Sequence, residues 1–150
     1  MTEPDGELGR AAARGVIAAM AMSGMRRMTT GFGLIQEEPP KQIAREGVPK
    51  LLALCPPDVR SEAIELAHWA YGGLGGVAFG ALPARARKHS WAGPAYGLAT
   101  WVLFEKVVAP LLGLRSTRES RPLERAALAA DHVLYGLVVG SGPWPHERTA

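Results

Sequence analysis

The chain of 150 residues has room for a single domain. Its 47% hydrophobic content, 18 glycines and 12 prolines depart from the usual soluble composition mainly through glycine. The net charge of +3 comes from 17 basic and 14 acidic residues. The basic residues are scattered over predicted loops and helix ends without interleaved aromatics, which argues against nucleic acid as a partner. The single Cys55 excludes an internal disulfide.

The first predicted helix covers residues 11–34, which are mostly Ala, Met, Val, Ile and Gly. A tract of this length can cross a bilayer. Arg14 and the Arg26-Arg27 pair interrupt it, and arginines are tolerated in such a helix when they reach toward the interface or face protein. We therefore predict a first membrane span here.

The segment from Lys41 to Leu54 mixes aliphatic and charged residues, with Pro49 as a break. This pattern is typical of short amphipathic helices that lie at a membrane surface. A water-exposed cap is the alternative, and the pattern fits both equally well.

Three further apolar tracts predict spans at residues 63–82, 91–113 and 126–142. The last tract is close to the shortest length that can cross a bilayer. Together with the first tract they predict one integral membrane domain over residues 1–150, an all-α bundle with four spans.

The competing interpretation is a soluble four-helix bundle, in which every helix carries one charged face. Residues 66–82 and 89–104 have apolar or small residues at every helical angle. Two helices without a face for water would leave a short soluble chain without enough polar cover. The sequence therefore favours the membrane bundle.

The second and fourth spans share the pattern His-x-x-Tyr-Gly-x-x-x-Gly, and the second copy lies 64 residues after the first. The copies consist of His68, Tyr71, Gly72 and Gly76, and of His132, Tyr135, Gly136 and Gly140. The duplication predicts two related hairpins, whose second helices run in the same direction. Glycines at four-residue spacing, Gly80 included, let helices approach closely. We predict that spans two and four pack against each other through these glycines.

Nearly all polar groups within the spans fall at a similar depth when 1.5 Å is counted per helical residue. The set consists of His68, Tyr71, His132, Tyr135, Glu105, Asp131, Arg26 and Arg27. Such groups are costly in hydrocarbon unless they are paired or wet. We therefore predict a shared polar cluster or a water-filled vestibule in one leaflet, where Glu105 pairs with an arginine of the first span or with a histidine.

Two interpretations of His68 and His132 remain open. They suit a proton relay or a pH-sensitive gate, since imidazole titrates near neutrality. Alternatively, each hydrogen-bonds a neighbouring helix and fixes the packing. The sequence has no nucleophile elbow, phosphate loop or recognisable metal-ligand spacing, so no catalytic residue, cofactor or metal is predicted.

The two His-x-x-Tyr-Gly copies, the Glu38-Pro39-Pro40 segment after an Arg-Arg helix end and the four-span length resemble the small uncharacterised bacterial inner-membrane proteins of the YagU type. The resemblance covers about residues 10–142. It implies a multi-pass protein of the bacterial inner membrane and a link to acid tolerance. That family offers no agreed catalytic residues.

Two functions are compatible with these features. The first is binding or conduction of protons or of a small polar solute through the one-leaflet cluster, by a chain that lies in the lipid bilayer and assembles as a homo-oligomer. The alternative is a structural or accessory subunit that packs against a larger membrane partner through its glycine faces.

Overall fold

The computed structural model describes residues 4–35, 38–114 and 121–141, and every regular element in these ranges is a helix. The all-α class is thus confirmed. In chain order the elements are α1 (Pro4–Gly31), α2 (Pro39–Gln42), a π-helical turn (Ile43–Gly47), α3 (Pro49–Ala53), a 3-10 turn (Pro57–Val59), α4 (Arg60–Gly80), α5 (Ala84–Arg87), α6 (Ala92–Leu103), a second π-helical turn (Phe104–Val108), α7 (Ala109–Leu111) and α8 (Pro122–Gly140).

Four long helical rods form the bundle in the described ranges: α1, α4, α8, and α6 continued through its π-helical turn into α7. Each predicted span falls on one of them. α1 begins earlier than residue 11, and α8 begins at Pro122, because proline fixes a helical φ and lacks the N–H that the first turn could not use. Residue 142, the predicted end of the fourth span, lies outside the described residues.

The first hairpin pairs α1 with α4 through backbone contact at glycine. Gly15 of α1 faces the Gly72 carbonyl, and a Cβ at Gly15 would lie only 2.8 Å from the Gly76 nitrogen. Gly72 in turn faces Ala19, and Gly76 faces Ala11. The residue numbers fall along α1 as they rise along α4, so the two helices are antiparallel.

The second hairpin pairs α6 with α8 in the same way. Gly93 and Gly97 of α6 lie against Gly136, and Gly140 lies against Gly93. A Cβ at Gly140 would lie 2.9 Å from the Gly93 Cα. This pair is also antiparallel, so the two copies of the sequence pattern occupy equivalent positions in two similar hairpins, and α4 and α8 run in the same direction as predicted.

The predicted packing of the second and fourth spans against each other through glycine is wrong. Gly72 and Gly76 of α4 face α1, while Gly136 and Gly140 of α8 face α6. Gly80 is the half-buried last residue of α4. Each glycine face thus belongs to the interior of its own hairpin, because Gly15 and Ala19 on α1, and Gly93 and Gly97 on α6, supply small partners that the repeated pattern does not contain.

Contact between α1 and α8 joins the hairpins into one bundle. The core at this junction is small and contains Phe79 and Val139, both fully buried, with Ala11, Ala18 and Met22. On the other side, two tyrosine hydroxyls reach across to carbonyls of α4. Tyr135 donates to Gly72 O at 2.6 Å and Tyr96 donates to Gly75 O at 2.7 Å.

Large apolar side chains are found mainly on the outside of the bundle. Ile17 of α1 is 57% exposed, Leu74 of α4 69%, Leu103 of α6 53% and Leu137 of α8 49%. Within the described ranges, no single helix combines the length and the mean hydropathy of a membrane span.

The segment between α1 and α4 forms the short helices α2 and α3 on either side of a π-helical turn. The turn lies against the chain after α7, because a Cβ at Gly47 would contact Leu112 Cβ at 3.3 Å. Leu51 and Leu54 are 65% and 82% exposed. The segment therefore covers one end of the bundle and presents leucines outward.

Candidate functional site: the polar end of the bundle

Antiparallel pairing brings four helix regions together at one end of the bundle: the last third of α1, the first half of α4, the π-helical turn after α6 and the first half of α8. We call this the polar end. Its interacting side chains are Ser23, Arg26, Arg27, Glu65, His68, Trp69, Glu105, Arg125, Asp131 and His132. The glycine contacts begin at the level of His132, whose carbonyl faces Gly97, and continue toward the opposite end. Six of the eight residues predicted to gather at one level take part in these interactions, whereas Tyr71 and Tyr135 do not.

The centre of the polar end is an ion pair between α1 and α8. Arg26 Nε donates to Asp131 Oδ2 at 3.3 Å, and the two side chains are only 4% and 0% exposed. Asp131 Oδ1 is buried and has no hydrogen-bond partner among the described residues. One carboxylate oxygen of Asp131 therefore accepts a hydrogen bond from Arg26, and the other has no donor among the described residues.

A second interaction centre is the Ser23 hydroxyl of α1. It donates its single hydrogen to Ala19 O at 3.1 Å, one turn earlier on the same helix. It accepts a hydrogen bond from Trp69 Nε1 at 3.2 Å and lies 3.4 Å from His68 Nδ1. When the hydroxyl hydrogen goes to Ala19 O, His68 Nδ1 is the donor in this contact, and the neutral ring then leaves its Nε2 unprotonated.

The equivalent histidine on α8 adopts the same protonation pattern for a different reason. His132 Nδ1 lies 2.8 Å from Leu128 O, and a carbonyl can only accept. His132 therefore protonates Nδ1 and, when neutral, leaves Nε2 as an acceptor. Both histidines of the repeat thus have an Nε2 without a hydrogen-bond donor in the described part of the chain, and His68 lies within electrostatic range of His132, Arg26 and Glu65.

Two further ion pairs lie at the edge of the polar end. Arg27 Nη2 and Glu65 Oε1 are 3.7 Å apart, and Arg27 is 70% exposed. Glu105, in the π-helical turn, accepts a hydrogen bond from Arg125 at the start of α8. The predicted partners of Glu105, an arginine of the first span or a histidine, are therefore wrong. Arg125 lies just before the predicted fourth span, so counting depth within the spans could not identify it.

The two tyrosines of the repeat lie toward the middle of the bundle rather than in the ion-pair cluster. Tyr135 is 5% exposed and donates to Gly72 O, so it connects α8 to α4. Tyr71 is 63% exposed and faces outward from α4. The same pattern gives different environments because α1 packs closely on α8, whereas α4 and α6 are joined chiefly through Tyr96.

The polar end contains groups that can accept protons or hydrogen-bond a small solute. Within the described residues, no group of three His, Cys, Asp or Glu side chains could hold a metal ion. A groove of about 480 Å³ opens beside it, lined by Trp69 and by charged residues of both signs that include Arg27, Lys41, Glu62 and Glu65. The histidines of the polar end form hydrogen bonds, and its buried charged residues Arg26 and Asp131 form an ion pair.

Ser23 and Trp69 belong to the polar end, but neither is in the polar cluster that was predicted from the sequence. A single hydroxyl in an apolar tract is a weak signal, because such residues commonly hydrogen-bond only their own helix. Trp69 adjoins His68 in the first copy of the repeat, while the second copy has Val133 in that place. The asymmetry between the copies was the available clue that this tryptophan has a specific partner.

The fold and site together define a class: a two-hairpin helical bundle with glycine contacts within each hairpin and a buried arginine–aspartate pair between the hairpins. Comparison with family models, with curated proteins and with solved structures gave no match. The resemblance to the YagU type therefore rests on the sequence motifs alone.

Proposed function

We propose that the chain is an integral protein of the bacterial inner membrane, with four helices across the bilayer, and that its polar end binds protons or a small polar solute and passes them toward the other side. The observation that carries the proposal is the distribution of side chains. Large apolar residues face outward along the middle of all four rods, and the charged pair Arg26 and Asp131 faces inward.

The outward faces of α4 and α8 are free of charge over a considerable length. On α8 the exposed residues after Pro122 are Leu123, Ala126, Ala130 and Leu137. On α4 they are apolar from Leu66 to Ala78, apart from the Tyr71 hydroxyl. In water each square ångström of such surface would cost roughly 25 cal/mol, whereas in hydrocarbon it costs nothing. The residues that face outward, rather than the mean hydropathy of a helix, therefore favour a lipid environment.

The helix lengths and the packing mode also support immersion in lipid. At 1.5 Å per residue, α4, the α6–α7 rod and α8 are each roughly 30 Å long, close to the thickness of a hydrocarbon core. The helices are held together by glycine contacts and hydrogen bonds rather than by large apolar side chains. Helices in lipid associate in this way, because the lipid chains are as apolar as leucine and burying large apolar side chains gives no gain there.

The polar groups reach through only part of the proposed membrane thickness. The other part is closed by the backbone contacts of Gly15 with Gly72 and Gly76, and of Gly93 and Gly97 with Gly136. Passage across the membrane therefore requires the glycine contacts to open. The glycines contact this chain's own helices, so they do not favour the accessory-subunit alternative.

The test is proton flux in liposomes that contain the purified full chain and an enclosed pH indicator. We expect His68→Ala to lower the flux severalfold, because it removes the acceptor next to the buried pair. The matched control is His89→Ala, which removes an exposed histidine outside the polar end. Equal flux from the wild type and from protein-free liposomes, or equal losses in the two variants, would refute a proton-conducting role.

A further inference from the structure

The groove beside the polar end combines charges of both signs with an apolar wall. Its volume of about 480 Å³ lies in the range of small-molecule sites, roughly 300–1,000 Å³. The acidic residues that line it are Glu38, Glu62 and Glu65, and the basic residues are Arg27 and Lys41. We propose that this groove binds the headgroup of a zwitterionic phospholipid that carries a primary amine, phosphatidylethanolamine. This lipid site lies beside the proposed path for protons or solute and rests on the proposed function only for its lipid environment.

The order of residues along α4 gives the groove a polar part and an apolar part. The charged residues Glu62 and Glu65 come first, and Leu66 and Trp69 follow. α4 begins at Arg60, so at 1.5 Å per residue these four side chains start roughly 3–14 Å along the helix. The outward face of α4 beyond Leu66 carries no charge. An amphiphile whose headgroup lies in the groove can therefore lay its acyl chain along the same helix.

The two basic residues of the groove can bind a phosphate. Lys41 Nζ lies 3.1 Å from Glu38 Oε2, and Arg27 Nη2 lies 3.7 Å from Glu65 Oε1. Lys41 is 46% exposed and Arg27 is 70% exposed, and ion pairs of such exposed side chains contribute little to stability. Turning either cation toward a phosphate therefore costs little. Arginine and lysine both bind phosphate through charge-assisted hydrogen bonds.

Glu65 distinguishes between headgroup amines. Its Oε1 atom is shielded from solvent and has no hydrogen-bond donor among the described residues, because the contact with Arg27 is too long for a hydrogen bond. The side chain lines the groove, and rotation about its last bond exchanges the two oxygens. A primary ammonium brings N–H donors, whereas the quaternary ammonium of phosphatidylcholine has none. Since buried acceptors are almost always satisfied, the primary amine is the better match.

The balance of charge favours a zwitterion over an anion. Three carboxylates and two cations line the groove. An anionic headgroup, such as that of phosphatidylglycerol, would add to the excess of negative charge, whereas a zwitterion leaves it unchanged. Glu62 lies three residues before Glu65 on the same face of α4, so both carboxylates can face one ammonium.

The test is native mass spectrometry of the full chain in an uncharged detergent, with phosphatidylethanolamine, phosphatidylcholine or phosphatidylglycerol of matched acyl chains. We expect the wild type to bind phosphatidylethanolamine roughly fivefold more tightly than the other two, the effect of one partly exposed charge pair. Glu62→Gln should abolish most of this preference. Asp58→Asn, which neutralises an exposed carboxylate outside the groove, should retain it.

A second pair of variants tests the phosphate contact. Lys41→Gln should weaken the binding of all three lipids severalfold, because each of them carries a phosphate. Lys50→Gln removes an exposed lysine of α3 that does not line the groove, and it should weaken none. Equal binding of the three lipids by the wild type, or equal effects within either pair of variants, overturns the site.

Two further outcomes separate the lipid from other ligands and from the proposed function. Glycerophosphoethanolamine, which has the headgroup but no acyl chains, should compete only weakly, and competition as strong as that of the lipid overturns the lipid assignment. A chain that conducts protons without a headgroup preference overturns the lipid site alone. A chain that selects phosphatidylethanolamine but conducts no protons supports the lipid site and refutes conduction.

Discussion

Arg26→Met should destabilise the folded chain by about 3–5 kcal/mol, because it leaves the Asp131 carboxylate buried without its charged partner. The neighbouring variant Arg27→Met removes a charge that is 70% exposed and 3.7 Å from Glu65. That change should cost no more than about 1 kcal/mol. The measurement is reversible unfolding of each purified variant in the same detergent or lipid mixture.

A third variant tests whether the loss arises from the unpaired charge. The double replacement Arg26→Met with Asp131→Leu removes both charges, and it should recover most of the stability lost in Arg26→Met, since apolar replacement of a buried pair is often neutral. Similar losses for Arg26→Met and Arg27→Met would contradict the burial of the pair. A double variant as unstable as Arg26→Met would show that the charge was not the cause.

Gly15→Ala should destabilise the first hairpin by about 1–3 kcal/mol, the usual cost of overpacking. The new Cβ would collide with the Gly72 carbonyl and lie 2.9 Å from the Gly76 Cα, so α1 and α4 would have to separate. Because both neighbours are backbone atoms, no side chain can turn aside to make room.

The control for this change lies on the same helix. Gly24 is exposed, and a methyl group added there would meet no heavy atom within 4 Å. Gly24→Ala should therefore leave stability unchanged or raise it by up to about 1 kcal/mol through helix propensity. Unfolding that gives the same stability for the two alanine variants would rule out close contact of α1 with α4 at Gly15.

The repeat allowed the two hairpins and the parallel course of α4 and α8 to be predicted. It could not identify the partner of each glycine face, because a four-residue glycine spacing marks a smooth helix surface without specifying what lies on it. The partners, Gly15 and Ala19 in one hairpin and Gly93 and Gly97 in the other, lie outside the repeated pattern. Tertiary packing therefore determines which helix each glycine face contacts, and the repeat does not encode it.

Counting depth along the helices put Arg26 and Asp131 at one level, and the structure pairs them between the antiparallel helices α1 and α8. The same counting failed for Glu105. Several arginines occur at similar depth, and only the angular position of the π-helical turn directs this carboxylate toward Arg125. Angular position also separates buried Tyr135 from exposed Tyr71, which the shared motif treats as equal.

The proposed function requires the outward faces of the four rods to lie in hydrocarbon. Spin labels on single cysteines at Ile17, Leu74, Leu98 and Leu137, in a Cys55→Ser background and in lipid vesicles, test it directly. Collisions with oxygen, which concentrates in lipid, should exceed those with a water-soluble nickel chelate at all four sites. A label at Ser61, exposed at the start of α4, should show the reverse. Preferential collision with nickel at the four apolar sites would contradict a lipid-facing bundle.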